Sequence, residues 1–223
     1  VVFEKLPSLL HPEKKLRVIG LCGLAGSGKD TVGNHLVKEW GYTRFAFADA
    51  VKEALLVFDP WIEVVPKTNH LMPSNMAKLS QLVEDEGWDV AKQRPEVRQV
   101  LLDFGTKVGR EYLGSRLSCG NVWVDLAEEY IYKKLCEDPD IKFVITDVRF
   151  EDEGNLVKDF GGILVKVERE YSGLKGENAK HESEAVPFTP DFIVVNNGTI
   201  RDLEDIVENW LIYGNPQGEI NAV

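Results

Sequence analysis

A glycine-rich segment between an apolar run and a helical pattern constrains this chain more than any other feature. Residues 17–22 are RVIGLC, residues 23–29 are GLAGSGK, and a helical pattern over 28–40 ends before Gly41. The segment matches G-x-x-x-x-G-K, whose glycines let the backbone curl so that successive N–H groups point at phosphate oxygens. We therefore predict a strand, a phosphate-binding loop and a helix. The loop residues expected to bind a nucleoside triphosphate are Ala25, Gly26, Ser27, Gly28 and Lys29.

The residue after the loop lysine departs from the usual pattern. That position normally holds Ser or Thr, whose hydroxyl binds magnesium, but here it is Asp30, and Thr31 follows. We expect Asp30 to serve the metal directly or through water and Thr31 to donate to a phosphate from the first helical turn. The alternative interpretation of the whole segment at 23–29 is a chance glycine-rich turn between a strand and a helix.

Apolar runs alternate with helical patterns along the rest of the chain. Because the runs are continuously apolar, we expect an α/β fold with a parallel sheet covered by helices on both faces. Ligands of such sheets bind beyond the carboxyl ends of the strands. The predicted strands are 17–22, 45–48, 142–146, 163–167 and 192–195, and the predicted helices are 28–40, from about Asp49, 95–113, 122–136, 151–160 and 200–212.

A second acidic residue follows an apolar strand at residues 143–147, FVITD. An acid at that place holds magnesium through water in nucleotide-binding proteins of this kind, so Asp147 is a candidate metal residue beside Asp30. Arg149 lies two residues later and is a candidate for charge stabilisation. The alternative for Arg149 is an ion pair with a neighbouring acid, Glu151, Asp152 or Glu153.

Charge limits the possible partners. The 223 residues contain 26 basic and 37 acidic side chains, a net charge of -11. That excess argues against a nucleic acid partner and against binding to anionic membranes. Three cysteines without metal-ligand spacing, no apolar segment long enough to span a membrane and no signal-peptide pattern lead us to expect a cytoplasmic protein.

Positive charge is nevertheless concentrated in residues 92–116, which hold six basic and three acidic residues. Arginine binds phosphate in a bidentate manner, so a second phosphate site is reasonable there. For Arg94 and Lys107 a solvated helix face is the better interpretation, whereas for Arg98 and Arg110 both interpretations stay open. Residues 168–185, a polar stretch with Arg169 and His181, are interpreted as a positively charged lid that excludes water.

Several motifs together resemble the deoxynucleoside monophosphate kinases of bacteriophages, a branch of the P-loop nucleotide kinases. The matching segments run in the same order from about residue 17 to 212, and the Lys-Asp-Thr form of the loop is typical of that family. They are GSGKDT at 26–31, VR at 97–98 with GT at 105–106, VWV at 122–124, DVR at 147–149, Arg169, His181 with Glu184, and VNNGT at 195–199.

The resemblance implies a three-layer α/β/α P-loop kinase fold in one domain, 1–223. Its core would be about 17–56 and 121–212, its monophosphate-binding insertion about 57–120, its lid about 168–185 and its flexible tail 214–223. It implies transfer of the γ-phosphoryl group of ATP to a deoxynucleoside monophosphate with Mg²⁺, in a homodimer.

The resemblance also implies a role for each matched residue. Catalysis would depend on Lys29, Arg98, Asp147 and Arg149. Arg169, Asn196 and Gly198 would join the loop in binding ATP, with residues 196–198 near the adenine. The acceptor would be bound by Ala46, Phe47, Asp49, Arg98, Gly105, Thr106, Arg110, Trp123, Asp147, Arg149, Glu153 and His181.

Other functions of the same loop stay open from the sequence. One alternative is another small-molecule kinase, similar to dephospho-coenzyme A kinases or phosphomevalonate kinases. A second is a P-loop ATPase or GTPase switch, which would hydrolyse nucleotide without an acceptor and would not need the basic segment.

Overall fold

The structure of the protein is a computed structural model that describes residues 17–64, 76–117, 120–170 and 188–213. Within these ranges the chain folds into two compact units. One comprises residues up to Phe47 together with Glu128 onward, and the other is Ala48–Ala127.

The first unit is built on a five-stranded parallel sheet. Its strands are β1 Val18–Cys22, β2 Thr43–Phe45, β5 Phe143–Ile145, β6 Ile163–Glu168 and β7 Phe192–Val195. Their order across the sheet is β2-β5-β1-β6-β7. The helices that accompany them are α1 Lys29–Trp40, α7 Glu151–Asp159 and α8 Ile200–Tyr213. Strand β1 is central, with Ile19 in register with Val144 of β5 and Ile163 of β6.

Alternate residues of β1 face the two helical layers. Ile19 and Leu21 are fully buried in one cluster with Leu36 of α1 and Val207 of α8. A Cβ on Gly20, between them, would lie 2.9 Å from side-chain atoms of Val157 in α7. Helices therefore cover both faces, and the predicted α/β/α fold with a parallel sheet is confirmed.

The second unit contains helices and a short antiparallel hairpin, β3 Trp61–Glu63 with β4 Met76–Lys78. Its main helices are α2 Phe47–Phe58, α3 Leu79–Ala91 and α4 Pro95–Asp103. The first residue of α2, Phe47, still belongs to the first unit. A π-helix Phe104–Leu113 and helix α5 Gly114–Leu117 follow, and helix α6 Val122–Glu137 continues into the first unit. One hydrophobic cluster of this unit is formed by the buried side chains of Leu55, Ile62, Leu79, Leu82, Ala91 and Val97.

Two predicted elements around the second unit differ from the structure, one in its limits and one in its helix type. The strand expected at 45–48 ends at Phe45, and Phe47 already begins α2, because the carboxylate of Asp147 accepts a hydrogen bond from the Phe47 N–H over 2.9 Å. The single helix expected over 95–113 changes to π geometry at Phe104. Beyond this change of geometry Val108 and Tyr112 are exposed.

Helix α3 and the β3–β4 hairpin occur where no helix or strand was predicted. Acidic side chains accept backbone N–H groups in this part of the chain: Asp59 accepts from Ser80 over 2.9 Å, and Glu96 accepts from Glu63 over 2.6 Å. No helix of the described ranges is long and apolar enough to cross a membrane.

Candidate nucleotide-binding site

The glycine-rich loop connects β1 to α1 in a backbone conformation that depends on glycine. Gly28 precedes the first residue of α1 with a φ of 111°, and Gly23 has a φ of 129°. A Cβ on Gly23 would also lie 2.3 Å from the carbonyl oxygen of Val167 in β6. Both positions exclude L side chains, so the loop retains its curled form against the sheet edge.

The side chain of Lys29 is hydrogen-bonded to the backbone of the glycine-rich loop. Its Nζ donates to the carbonyl oxygens of Gly23 and Leu24, each over 2.8 Å. The ammonium group thus lies beside the loop at the N-terminus of α1, where the helix dipole also favours an anion. A phosphate group is the anion that this combination of N–H groups, dipole and lysine suits best.

A cavity of about 500 Å³ opens beside the loop, within the size range of small-molecule sites. It is lined by three groups of residues of the first unit, from the loop and α1, the end of β6, and the turn from β7 into α8. They are Gly26, Gly28, Lys29, Asp30, Thr31, Arg169, Asn196, Gly198, Thr199, Ile200 and Leu203.

Most of the residues predicted to bind ATP line this cavity. The exceptions are Ala25 and Ser27, and Ser27 is fully buried beneath the loop. Thr199, Ile200 and Leu203 were not among the predicted residues. Their position directly after the VNNG segment and at the start of a helix is the signal that could have identified them.

Asn196 connects the end of β7 to the loop. Its backbone N–H donates to the Glu168 carbonyl over 2.7 Å, and its side-chain Nδ2 donates to the Ser27 carbonyl over 2.7 Å. The side chain is buried, with the whole residue only 6% exposed. The hydrogen bond to Ser27 could not be anticipated from the sequence, because it joins residues 169 positions apart.

Asp147 lies at the end of β5 with Ala46 and Phe47 nearby. One carboxylate oxygen accepts the Phe47 N–H, and both Ala46 and Phe47 are buried. Asp30 is exposed in the first turn of α1. Asp147 therefore has a structural hydrogen bond in addition to the metal role that we predicted for it.

The residues predicted to hold a metal at this site are two aspartates, Asp30 and Asp147. Within the described ranges no group of three or more His, Cys, Asp or Glu residues is arranged to hold a metal. Magnesium typically keeps several waters and binds through one or two carboxylates and substrate phosphates. Asp30 and Asp147 each offer carboxylate oxygens of the kind that magnesium prefers, and their shared metal role stays a prediction.

Glu153 is buried at the N-terminus of α7 and closes the loop that carries Arg149. Its Oε2 accepts the N–H groups of Arg149 over 2.8 Å and Phe150 over 3.1 Å, and the residue is 5% exposed. This is the reciprocal half of a helix cap. Contact of Glu153 with an acceptor stays a prediction, while its structural role is to order residues 149–150.

Ion pairs within the second unit occupy several basic residues of the 92–116 segment. Arg94 donates to both carboxylate oxygens of Glu86, over 3.0 and 2.9 Å. Lys92 is paired with Asp89 over 3.0 Å, and Lys107 with Asp103 over 2.7 Å. These contacts agree with the solvated-face interpretation of Arg94 and Lys107.

Arg98 differs from those residues. It lies on α4 beside the fully buried Val97 and is itself half-buried. Among the residues that the structure describes, no acidic side chain is paired with its guanidinium. A half-buried arginine without a carboxylate partner retains its capacity to bind an anion. The phosphate-binding role predicted for Arg98 is therefore consistent with its surroundings and stays a prediction.

Trp123 is enclosed by the π-helix. Its Nε1 donates to the Gly105 carbonyl over 2.7 Å, and its ring would lie 2.2 Å from a Cβ on Gly109. The residue is 6% exposed, and its ring centroid lies 6.1 Å from that of Phe104. Contact of Trp123 with an acceptor stays a prediction, and the observed contacts give the ring a packing role.

The remaining predicted acceptor residues are placed as follows. Asp49 forms an ion pair with Lys52 of α2 over 2.7 Å. Thr106 and Arg110 lie on the π-helix and are half-buried. His181, the lid beyond residue 170 and the tail 214–223 lie outside the described residues.

Burial perturbs the cysteine at the start of the loop. Cys22 in β1 is fully buried, and desolvation raises the pKa of its thiol to about 11, although Lys166 and Lys29 oppose the change. Its Sγ lies 3.6 Å from the Val165 carbonyl. The high pKa keeps this group a neutral thiol near pH 7, so it acts as a small apolar residue.

Comparison with known proteins gives a relative with a nucleotide-kinase description. The chain is 28% identical over 194 residues to a protein of Acanthamoeba polyphaga mimivirus that is named as a proposed deoxynucleotide monophosphate kinase; the match covers 83% of this chain and 91% of the relative. No family model matches the chain. The bacteriophage origin implied by the sequence resemblance stays a prediction.

Solved structures with weak likeness to the chain are also kinases by their names. An APS kinase of Mycobacterium tuberculosis is 12% identical, with a TM-score of 0.40, over 88% of this chain and 97% of its own. A shikimate kinase from Acinetobacter baumannii is 14% identical, with a TM-score of 0.40, over 92% of this chain and 97% of its own. Structural likeness at this level says nothing about the function of this chain.

Proposed function

We propose that the protein is a deoxynucleoside monophosphate kinase, which transfers the γ-phosphoryl group of ATP to a deoxynucleoside monophosphate. The observation that carries this proposal is the cavity of about 500 Å³ at the glycine-rich loop, because it brings Lys29, Asp30, Thr31 and Arg169 to one anion-binding helix terminus. The name of the viral relative supports the choice of acceptor.

The loop and Lys29 are proposed to bind the ATP phosphates. Lys29 exchanges its bonds to the Gly23 and Leu24 carbonyls for phosphate oxygens, and a bond to a charged oxygen is stronger than a bond to a neutral carbonyl. Arg169 adds a positive charge at the same cavity. Asp30 and Asp147 would hold Mg²⁺, which when bound neutralises charge on the phosphates.

The acceptor is proposed to be an anionic nucleophile that needs no general base. A monophosphate oxygen is already negatively charged near neutral pH, so positioning and charge stabilisation provide the catalysis. Arg98 would bind the acceptor phosphate, and Arg149 would stabilise charge on the group in transfer. The homodimer implied by the resemblance belongs to this proposal, and sedimentation equilibrium would measure it.

A substrate panel tests the proposal. The wild-type chain is supplied with ATP and Mg²⁺, and ADP release is measured with each deoxynucleoside and ribonucleoside monophosphate in turn. We expect at least one deoxynucleoside monophosphate to stimulate ADP release and to yield the diphosphate. Dephospho-coenzyme A and phosphomevalonate are included as rival acceptors. ADP release that no nucleoside monophosphate stimulates would overturn the proposal.

A further inference from the structure

Asn196 contacts the back of the glycine-rich loop in two ways. Its Nδ2 donates to the Ser27 carbonyl over 2.7 Å, and the same nitrogen would lie 2.4 Å from a Cβ on Gly28. Leu203 of α8 adds an apolar contact, with its Cδ2 3.2 Å from the same Cβ position. The amide therefore packs directly on the Ser27–Gly28 peptide.

The hydrogen bond pairs the Ser27 carbonyl, which faces the protein interior. A loop that directs successive N–H groups at an anion directs carbonyl oxygens elsewhere. Ser27 is fully buried, so its carbonyl has little access to water and requires a donor from the protein. The Asn196 amide supplies that donor from the end of β7, and the Asn196 backbone N–H is itself fixed on Glu168.

We propose that Asn196 is a positioning residue for the phosphate-binding loop. Asn196 fixes the Ser27–Gly28 peptide and, through it, the N–H groups that receive the triphosphate. It therefore contributes to binding of the phosphates and not of the nucleobase. The inference rests on the proposed function only in that a triphosphate is the ligand of the loop. It differs from the adenine contact that the sequence resemblance suggested for this residue.

Base-free triphosphate separates the two roles. The test uses Asn196→Leu, which retains approximate size without a donor, and Asn196→Ala, a smaller variant without a donor that serves if the leucine variant does not fold. Asn209→Leu is the matched control, because Asn209 also donates Nδ2 to a backbone carbonyl, that of Asp205 over 2.8 Å, on the exposed side of α8. Titration calorimetry measures the affinity of each variant for ATP and for inorganic tripolyphosphate.

We expect the Asn196 variants to lose affinity for ATP and for tripolyphosphate by the same factor, about tenfold, the usual effect of leaving a buried carbonyl without its partner. The Asn209 control retains both affinities. An Asn196 variant that loses ATP affinity and binds tripolyphosphate as the wild type does would overturn the inference, because only a base contact gives that result.

Hydrogen exchange of the ligand-free protein gives a readout that is independent of any substrate. Peptides covering residues 23–31 should exchange faster in the Asn196 variants than in the wild type and in the Asn209 control. Unchanged exchange would overturn the inference. Failure of the proposed function gives a different result. A wild type that binds triphosphate but phosphorylates no nucleoside monophosphate would overturn the proposed acceptor. The binding and exchange measurements on Asn196 do not depend on that acceptor.

Discussion

The indole Nε1 of Trp123 donates to the carbonyl oxygen of Gly105 over 2.7 Å, and this bond joins the start of α6 to the π-helix. The π geometry presents two glycines to the same ring, Gly105 through its carbonyl and Gly109 through its bare Cα. Single π-helical turns within α-helices are frequently found at functional sites. The ring determines which positions of this segment accept a side chain.

Substitution of the two glycines by alanine should change the free energy of unfolding to different extents. In Gly109→Ala the new Cβ would lie 2.2 Å from the Trp123 ring, so we expect the free energy of unfolding to fall by about 1–3 kcal/mol. In Gly105→Ala the nearest atom is 3.5 Å away on Val51, and helix propensity should maintain or slightly increase stability. Urea unfolding of both variants provides the measurement. Equal destabilisation would contradict the packing.

Glu153 should stabilise the fold and the loop that carries Arg149. Replacing it in Glu153→Ala leaves two N–H groups without an acceptor, and we expect a loss of about 1–3 kcal/mol in the free energy of unfolding. Glu153→Gln retains a neutral acceptor and should recover part of that loss. Glu151→Ala, at an exposed position in the same helical turn, is the control. A Glu153→Ala variant as stable as that control would refute the cap.

The core of the fold was predictable because buried parallel strands are continuous apolar runs bounded by glycine or acid. Strand β7 matches its predicted limits, 192–195, and β1 and β6 differ by a single residue at one end. The second unit was not predictable in this way. Its hairpin strands have three residues each, too few for a periodic pattern, and the π-helix that begins at Phe104 is hydrogen-bonded to Trp123, which is distant in sequence.

The candidate site was predictable where function requires a local motif. Residues 26–31 are consecutive in the motif GSGKDT, so candidate roles for Lys29 and Asp30 could be predicted from their positions in the sequence. Residues whose role depends on long-range contacts could not be resolved. Sequence does not distinguish Arg98 from Arg94, yet Arg94 has Glu86 as a bidentate partner and Arg98 has no acidic partner among the described side chains.

Basic residues of the two candidate phosphate sites should affect different kinetic parameters. We expect Arg98→Ala to raise the acceptor KM by about tenfold or more and to lower kcat, with ATP affinity nearly unchanged. Lys29→Ala should lower kcat by about 100- to 1,000-fold at saturating acceptor. Lys107→Ala, whose side chain is exposed and paired with Asp103, is the charge-matched control. Steady-state kinetics with both substrates varied gives these constants; unchanged acceptor constants for Arg98→Ala would exclude its assignment.

Alkaline conditions should weaken the fold through Cys22. Burial raises the pKa of its thiol from 9.0 to about 11, so the folded chain retains a proton that the unfolded chain releases. The contribution of this group to stability is therefore complete below pH 9 and is lost as the pH rises toward 11. Chemical unfolding at a series of pH values from about 8 to about 11 should show a falling free energy of unfolding, and a slope that Cys22→Ala reduces.

Thiol labelling provides the most direct check on the Cys22 environment. At about pH 8 a pKa of about 11 leaves about one thiol in a thousand ionised, and the thiolate is the form that reacts. Cys136 is exposed, so iodoacetamide should modify it in the folded chain while Cys22 stays unmodified. A Cys119→Ser background limits the labelling to these two residues, and mass spectrometry should count one label in the folded chain and two in urea. If Cys22 were labelled in the folded chain as fast as Cys136, strand β1 would not be buried beneath the glycine-rich loop in solution.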